Sequence, residues 1–313
     1  MTKKTVQSPG RRKKRGVPGP LLSLLVIGIL IVGSIVLLEQ LRDRTPPHGV
    51  QAPSPSAPVH EAVVTPVPLP RHEAYTAPVP IRHPRRRFHP VSGTGTVAII
   101  IDDMGSSLQE AQSLIDIGVP LTFSVIPGLA RGKAVDSLAY DNGYGVMIHM
   151  PMEPKGYPHQ RLESNGLLVS QSDDEIVRRV KSYFPLVPHA RGANNHMGSR
   201  FTENRQKMQL VLNVLKEHHL FFVDSMTTPA SVGLALARED GIPAAARSVF
   251  LDNVQDVAAI TAQLRQLAEK ARRHGFAIGI CHPHRTTIQA LAQNLPVMRE
   301  EGIRFVKVSE LVR

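Results

Sequence analysis

From Thr96 onward the chain alternates short, almost continuous apolar runs with longer stretches whose apolar residues recur every three or four positions. The first kind reads as strands of a parallel sheet, buried on both faces, and the second as helices with one apolar face. Strands are predicted at 97–101, 121–125, 144–149, 190–194, 220–223, 247–251, 276–280 and 303–307. Helices are predicted near 106–117, 131–141, 172–182, 203–218, 230–238, 254–274, 286–293 and 309–312. Ser172, followed by Asp173, Asp174 and Glu175, marks one start: a capping hydroxyl, then acids in the first turn. Regular alternation of strand and helix implies one α/β domain over 96–313 with a parallel sheet, open or closed into a barrel. In either form, chemistry gathers at the carboxyl ends of the strands.

The pattern before Thr96 is different. Leu21 to Leu38 are eighteen uncharged, mostly apolar residues with no polar stripe. As a helix they span about 27 Å, close to a bilayer's hydrocarbon thickness. The basic residues Arg11–Arg15 precede them, which predicts a single-pass signal anchor with the amino terminus cytoplasmic and the rest exported across a bacterial inner membrane. A cleavable signal peptide would have a shorter apolar core and a small-residue cleavage site, whereas Glu39-Gln40-Leu41-Arg42 follows here. Residues 45–92 hold twelve prolines and cannot build a core, so 39–95 reads as an extended spacer.

This organisation changes the meaning of the net charge of +11. Residues 1–20 carry seven Lys or Arg and no acid, and 45–95 add a net +3, leaving +1 for 96–313. A nucleic-acid footprint belongs on the folded domain, so the charge argues against a nucleic-acid partner. Cys281 is the sole cysteine, which excludes an internal disulfide; ending an apolar run, it reads as a small core residue.

Polar residues mark the strand ends. "VAIIIDDMG" ends in Asp102 and Asp103; "HMPMEP" holds His149 and Glu153; "NNHMGSR" holds Asn194, Asn195, His196 and Arg200. Asp224 and Ser225, Asp252 and Asn253, and His282 and His284 follow later strands. Singly, each has a structural reading: an aspartate caps a helix, an asparagine makes a turn, a histidine is satisfied in the core. Together they offer Asp, His and His to a zinc-like ion with an open position, a second carboxylate as general base, and a further His as general acid.

The motifs "IIIDDMG", "HMPMEP" and "IGICHPH" resemble those of the polysaccharide deacetylase (NodB-like) superfamily. With "NNHMGS" and "FVDS" they resemble its branch of divergent polysaccharide deacetylases, over roughly residues 96–313. The resemblance implies a distorted or incomplete parallel (β/α) barrel and one divalent metal ion of the zinc type. It also implies an N-acetylated glycan substrate. On the matching positions, Asp102 corresponds to the catalytic base, Asp103 and His149 to metal ligands, and His282 to the general acid. The family's second metal histidine is Glu153 here. Either Glu153 ligates through oxygen or His196 supplies the missing imidazole; the strand-end place of His196, beside two amides, favours the histidine. Glu153, Asn194, Asn195, Arg200, Asp224 and His284 are then expected to line the pocket or brace the ligands. Arg191 and Arg200 are the nearest stand-ins for the family's third-motif arginine, but neither lies in its Pro-containing setting.

Two functions remain open on the sequence. One is a membrane-anchored, metal-dependent hydrolase that removes acetyl groups from envelope sugars. The other is a glycan-binding or scaffold protein that kept the fold and lost the activity.

Overall fold

The computed structural model describes residues 95–313; the expected basic head, the apolar span 21–38 and the proline-rich spacer up to residue 94 lie outside the described residues. Among the described residues no helix is long and apolar enough to cross a membrane.

Among the described residues nine strands form one parallel sheet: β1 (Gly95–Met104), β2 (Thr122–Val125), β3 (Gly145–Met152), β4 (Gly192–Met197), β5 (Phe221–Asp224), β6 (Ala244–Ala246), β7 (Val249–Phe250), β8 (Phe276–Cys281) and β9 (Ile303–Val306). The α-helices that alternate with them in the described residues are α1 (Leu108–Asp116), α2 (Gly132–Asp141), α3 (Asp173–Tyr183), α4 (Arg205–Glu217), α5 (Gly233–Glu239), α6 (Val257–His274) and α7 (Arg285–Glu300). The strand order is β6-β5-β4-β3-β2-β1-β8-β7, with β9 added to β1. β8 takes one edge of β1, while β9 and β2 share the other end to end, β9 beside Gly95–Ala98 and β2 from Ile100 onward.

The sheet curls into an incomplete barrel, and the sequence placed its seam wrongly as one strand over 247–251. The strand there is only β7, and β6 lies just before the expected segment; β6 pairs with β5, and β7 pairs with β8, at opposite ends of the sheet. Arg247 N–H donates to the Asp224 carbonyl, and the next residue, Ser248, donates to the Ile278 carbonyl. Two adjacent amides thus close the curl through the chain itself, with no ladder between β6 and β7.

Alternation along each strand divides the core in two. On β1, Val97, Ile99 and Ile101 pack outward against the helices, while Ala98 and Ile100 join Met147, Val223, Ile278 and Ile280 inside the curl. Full burial of each such Ile or Val contributes about 1.5–3 kcal/mol. That is why both faces of the strands read as apolar.

The helices start where side chains satisfy their free amides. Ser107, Ser172, Asn204 and Asp256 accept from the backbone N–H three residues on. Since Ser107 caps α1, neither Asp102 nor Asp103 serves as a cap. α7 runs well past the expected end at 293, carrying Pro296 inside it. Proline removes one helical hydrogen bond, but buried Leu295 and Met298 on either side hold the last turns against the sheet.

Candidate active site

Parity determines which side chains enter the curl. Asp102 follows Ala98 and Ile100 inward and is only 2% exposed. Asp103 should face the helices instead. It turns inward because its backbone is left-handed, with φ at 55°, where the β1–β2 register shifts between Ile101 and Met104. Aspartate tolerates this conformation better than most residues, at a cost of about 1–3 kcal/mol. Gly105, at φ 123°, completes the exit; a Cβ there would lie 3.2 Å from both the Gly132 Cα and the Leu129 Cβ. Met197 and Met226, at the exits of β4 and β5, are also left-handed. Strain thus gathers at the mouth.

β3 and β4 supply the imidazoles. Their register pairs His149 with Asn194 and Pro151 with His196, so His149, Asn194 and His196 lie side by side on the inner face. Asp103 Oδ1 lies 3.2 Å from His149 Nε2 and 2.8 Å from His196 Nδ1. The two imidazole nitrogens are 3.2 Å apart. Asp102 Oδ2 approaches the same His149 Nε2, at 3.5 Å.

Asn194 fixes the chemistry of this group. Its Nδ2 donates to Asp102 Oδ1 at 2.8 Å and to Ser225 Oγ at 3.1 Å. Its Oδ1 therefore accepts, from Ser124 Oγ at 2.6 Å and from His149 Nδ1 at 2.7 Å. His149 thus carries a proton on Nδ1, and as a neutral ring presents a lone pair at Nε2 to Asp103. Asp103 Oδ1 is buried without a hydrogen bond, although two imidazoles crowd it. A carboxylate oxygen and two imidazole nitrogens facing one another can be bridged by a cation or by shared protons.

Asp103, His149 and His196 form a ligand-competent group, and their donor set, one oxygen and two nitrogens, suits a zinc-type ion. Without an ion, protons take its place. Burial disfavours the His149 imidazolium, but the carboxylates of Asp102 and Asp103 outweigh burial and raise its pKa to about 9. Burial also works to raise Asp103, yet the two imidazoles hold its carboxyl well below the usual range. Asp102 shifts the other way: burial raises it despite His149 and Asn194.

Opposite these groups stands His282. Its Nδ1 lies 3.2 Å from Asp252 Oδ1, and its Nε2 lies 3.8 Å from Asp103 Oδ2. Asp252 Oδ2 accepts from the His282 N–H at 2.7 Å and from Thr287 Oγ1 at 2.9 Å. Burial disfavours the His282 imidazolium; the Asp252 bond and the aspartate charges more than offset it, so its pKa is raised. His284 stands at the start of α7 without a side-chain capping bond, its ring 5.7 Å from that of His282, at the edge of the mouth.

Glu153 is not placed to ligate. Its Oε1 accepts from Arg200 Nη1 at 2.8 Å and its Oε2 from Val169 N–H at 2.7 Å. It bolts together the loops after β3 and β4, and the imidazole beside Asp103 is that of His196. Arg200 is committed to the same bolt, and Arg191 sits before β4, remote from the mouth. Two residues expected to line the pocket face away from it. Asn195 ties β4 to β5, accepting from Ser225 N–H and donating to the Met197 carbonyl. Asp224 accepts from Met226 N–H, Ser231 Oγ and Leu234 N–H, holding the start of α5. Parity is the reason: both are odd-numbered steps from the inward residues of their strands.

Two contributors were not singled out from sequence. Asp252 was noted at a strand end without a role, and its pairing with His282 depends on the β7–β8 register. Arg247, at the seam, donates to the carbonyls of Ser225 and Met226 and lies over the Phe250 ring, within electrostatic reach of Asp102. Cys281 is buried, and burial pushes its thiol pKa up, so it has no nucleophilic character.

Fold and site define a parallel (β/α) barrel with a metal-competent cluster and an Asp–His pair at its carboxyl-end mouth. Residues 99–312 match the family model described as divergent polysaccharide deacetylase, and the chain belongs to that family. The uncharacterized protein YibQ of Escherichia coli K12 is 36% identical over 221 residues, covering 70% of this chain and 67% of that protein. An uncharacterized protein of Haemophilus influenzae Rd is 36% identical over 220 residues, covering 69% of this chain and 76% of its own length. The crystal structure of uncharacterized protein ATU2773 from Agrobacterium tumefaciens C58 matches with a TM-score of 0.67 at 25% identity, over 73% of this chain and 93% of that one.

Proposed function

We propose that the protein is a metal-dependent hydrolase that removes acetyl from an N-acetylated sugar, with the catalytic domain held outside the inner membrane by the span 21–38. The observation that carries this reading is the buried Asp103 Oδ1, unbonded among two imidazole nitrogens, with a carboxylate and an Asp-held histidine beside it.

Asp103, His149 and His196 would hold the ion, which supplies Lewis acidity to the amide carbonyl and makes water a better nucleophile. Asp102, oriented by Asn194, takes the proton of the attacking water as its oxygen bonds to the carbonyl carbon. His282, held by Asp252, gives its proton to the amide nitrogen as the C–N bond breaks. Acetate and a free amine leave; the proton on Asp102 returns to solvent and His282 is reprotonated. No side-chain nucleophile is required.

The test is amine and acetate release from chitooligosaccharides and peptidoglycan fragments by the zinc-loaded full-length protein. Turnover abolished by a chelator and restored by metal supports the reading. Tight metal binding with glycan retention and no release would instead identify a binding protein that lost the reaction.

A further inference from the structure

The two metal-competent histidines present different nitrogens to Asp103, Nε2 from His149 and Nδ1 from His196. A neutral imidazole has one N–H, so each ring needs an acceptor at its other nitrogen to keep the facing one bare. Asn194 Oδ1 does this for His149. The corresponding position at His196 is taken by a carboxylate from another part of the chain: Glu163 Oε2 lies 3.7 Å from His196 Nε2.

Glu163 belongs to the segment between β3 and α3, and its neighbours hold the backbone there firmly. Arg179 Nη1 donates to the carbonyls of Ser164 and Gly166, at 2.9 and 2.8 Å. Tyr183 Oη donates to the Asn165 carbonyl at 2.6 Å, and Asn165 Nδ2 donates to the Pro127 carbonyl at 2.9 Å. Glu163 Oε2 is nevertheless buried without a hydrogen-bond partner, and among the described residues its one ion-pair contact is His196. A buried carboxylate oxygen without a bond is rare, and His196 Nε2, at 3.7 Å, lies just outside bonding distance of it.

We infer that Glu163 is the positioning residue of His196: it accepts the Nε2–H, fixes the tautomer, and leaves Nδ1 free to bind the metal. The inference rests on the metal reading above and deepens it. It also makes the β3–α3 segment a part of the metal site, since the carboxylate arrives only when that segment is seated.

The test uses purified full-length protein, zinc competition against a chromophoric chelator, and long-range ¹H–¹⁵N spectra of the zinc-loaded form. Loss of such a partner typically weakens metal binding about 10–100-fold, and this is expected for Glu163→Ala. A neutral acceptor makes roughly half as strong a bond, so Glu163→Gln should lose about 3–10-fold. The wild-type spectrum should show His196 protonated at Nε2 and bound through Nδ1. Unchanged zinc affinity in a folded Glu163→Ala, or in Glu163→Gln should the alanine variant fail to fold, overturns the role of Glu163. So does zinc bound through His196 Nε2. Wild-type protein that binds no zinc would instead remove the metal reading itself.

Discussion

Asp102 and Asp103 are adjacent in sequence, yet their carboxylates reach the same nitrogen of His149, at 3.5 and 3.2 Å. Alternation forbids this for two residues in regular strand, and the left-handed backbone at Asp103 permits it. The pair nevertheless divides the work. Asp102 is tied to Asn194, while Asp103 Oδ1 has no hydrogen bond and faces both imidazoles.

The two aspartates should therefore fail differently. Asp103→Asn is expected to lose metal and turnover together. Asp102→Asn should retain metal and lose about 10²–10⁴-fold in rate, the usual worth of a positioned base. Metal content by mass spectrometry, set beside amine release, separates the two; retention of metal by Asp103→Asn with loss by Asp102→Asn would exchange the roles.

Asn194 holds both sides of the site, bonding Asp102 and His149 from one buried amide. Asn194→Ala leaves both groups short of a partner, each at a cost of about 1–3 kcal/mol. Thermal unfolding should show a lower Tm, and zinc affinity should weaken about 10–100-fold as His149 loses its fixed tautomer. A variant with wild-type Tm and affinity would remove Asn194 from the design.

Metal binding should strengthen as pH rises. With its metal-free pKa raised to about 9, His149 holds a proton that the ion must displace. Apparent zinc affinity is expected to climb through neutral pH and level off only near 9, well above the ordinary imidazole range of about 6.5. Competition titrations at a series of pH values check this; a plateau already reached near 7 would contradict it.

Asp252 raises the pKa of His282, the group assigned to protonate the leaving amine. Activity should fall on the alkaline side as His282 loses its proton, and Asp252→Asn should move that limb of the kcat profile to lower pH. The same pair acts on stability. The contribution from His282 is complete below its unfolded pKa and lost as pH rises through the higher folded value. The contribution from Asp252, whose pKa is lowered against the pull of burial chiefly by the His282 bonds, is present above its unfolded pKa and lost as pH falls through the lower folded value. An unmoved alkaline limb in the variant would detach Asp252 from the proton transfer.

Topology can be read with a reporter fused after Arg313. Activity of a reporter that works only in an exported compartment is expected, together with recovery of the protein in the membrane fraction. A cytoplasmic reporter active at that position would reverse the orientation.

The chain's own pattern was enough for the layout of the domain. Continuous apolar runs gave both-face-buried parallel strands, the polar residues ending them gave the list of candidate groups, and the resemblance to the deacetylases gave Asp102, Asp103, His149 and His282 their expected roles. These are local properties: period, capping hydroxyls and the composition of strand exits act over a few residues. Which face each residue takes was legible only where alternation holds, and it fails at Asp103, where a single left-handed residue reverses the side. The choice of His196 over Glu153 depended on Arg200 and Val169 engaging both Glu153 oxygens, contacts made across loops. The partnership of Asp252 with His282 and the break between β6 and β7 likewise depend on how the sheet curls back on itself. Register and closure are set by contacts between residues distant in sequence, so no local pattern encodes them. The sequence names the chemical groups; the curl of the sheet decides which nitrogen meets which oxygen.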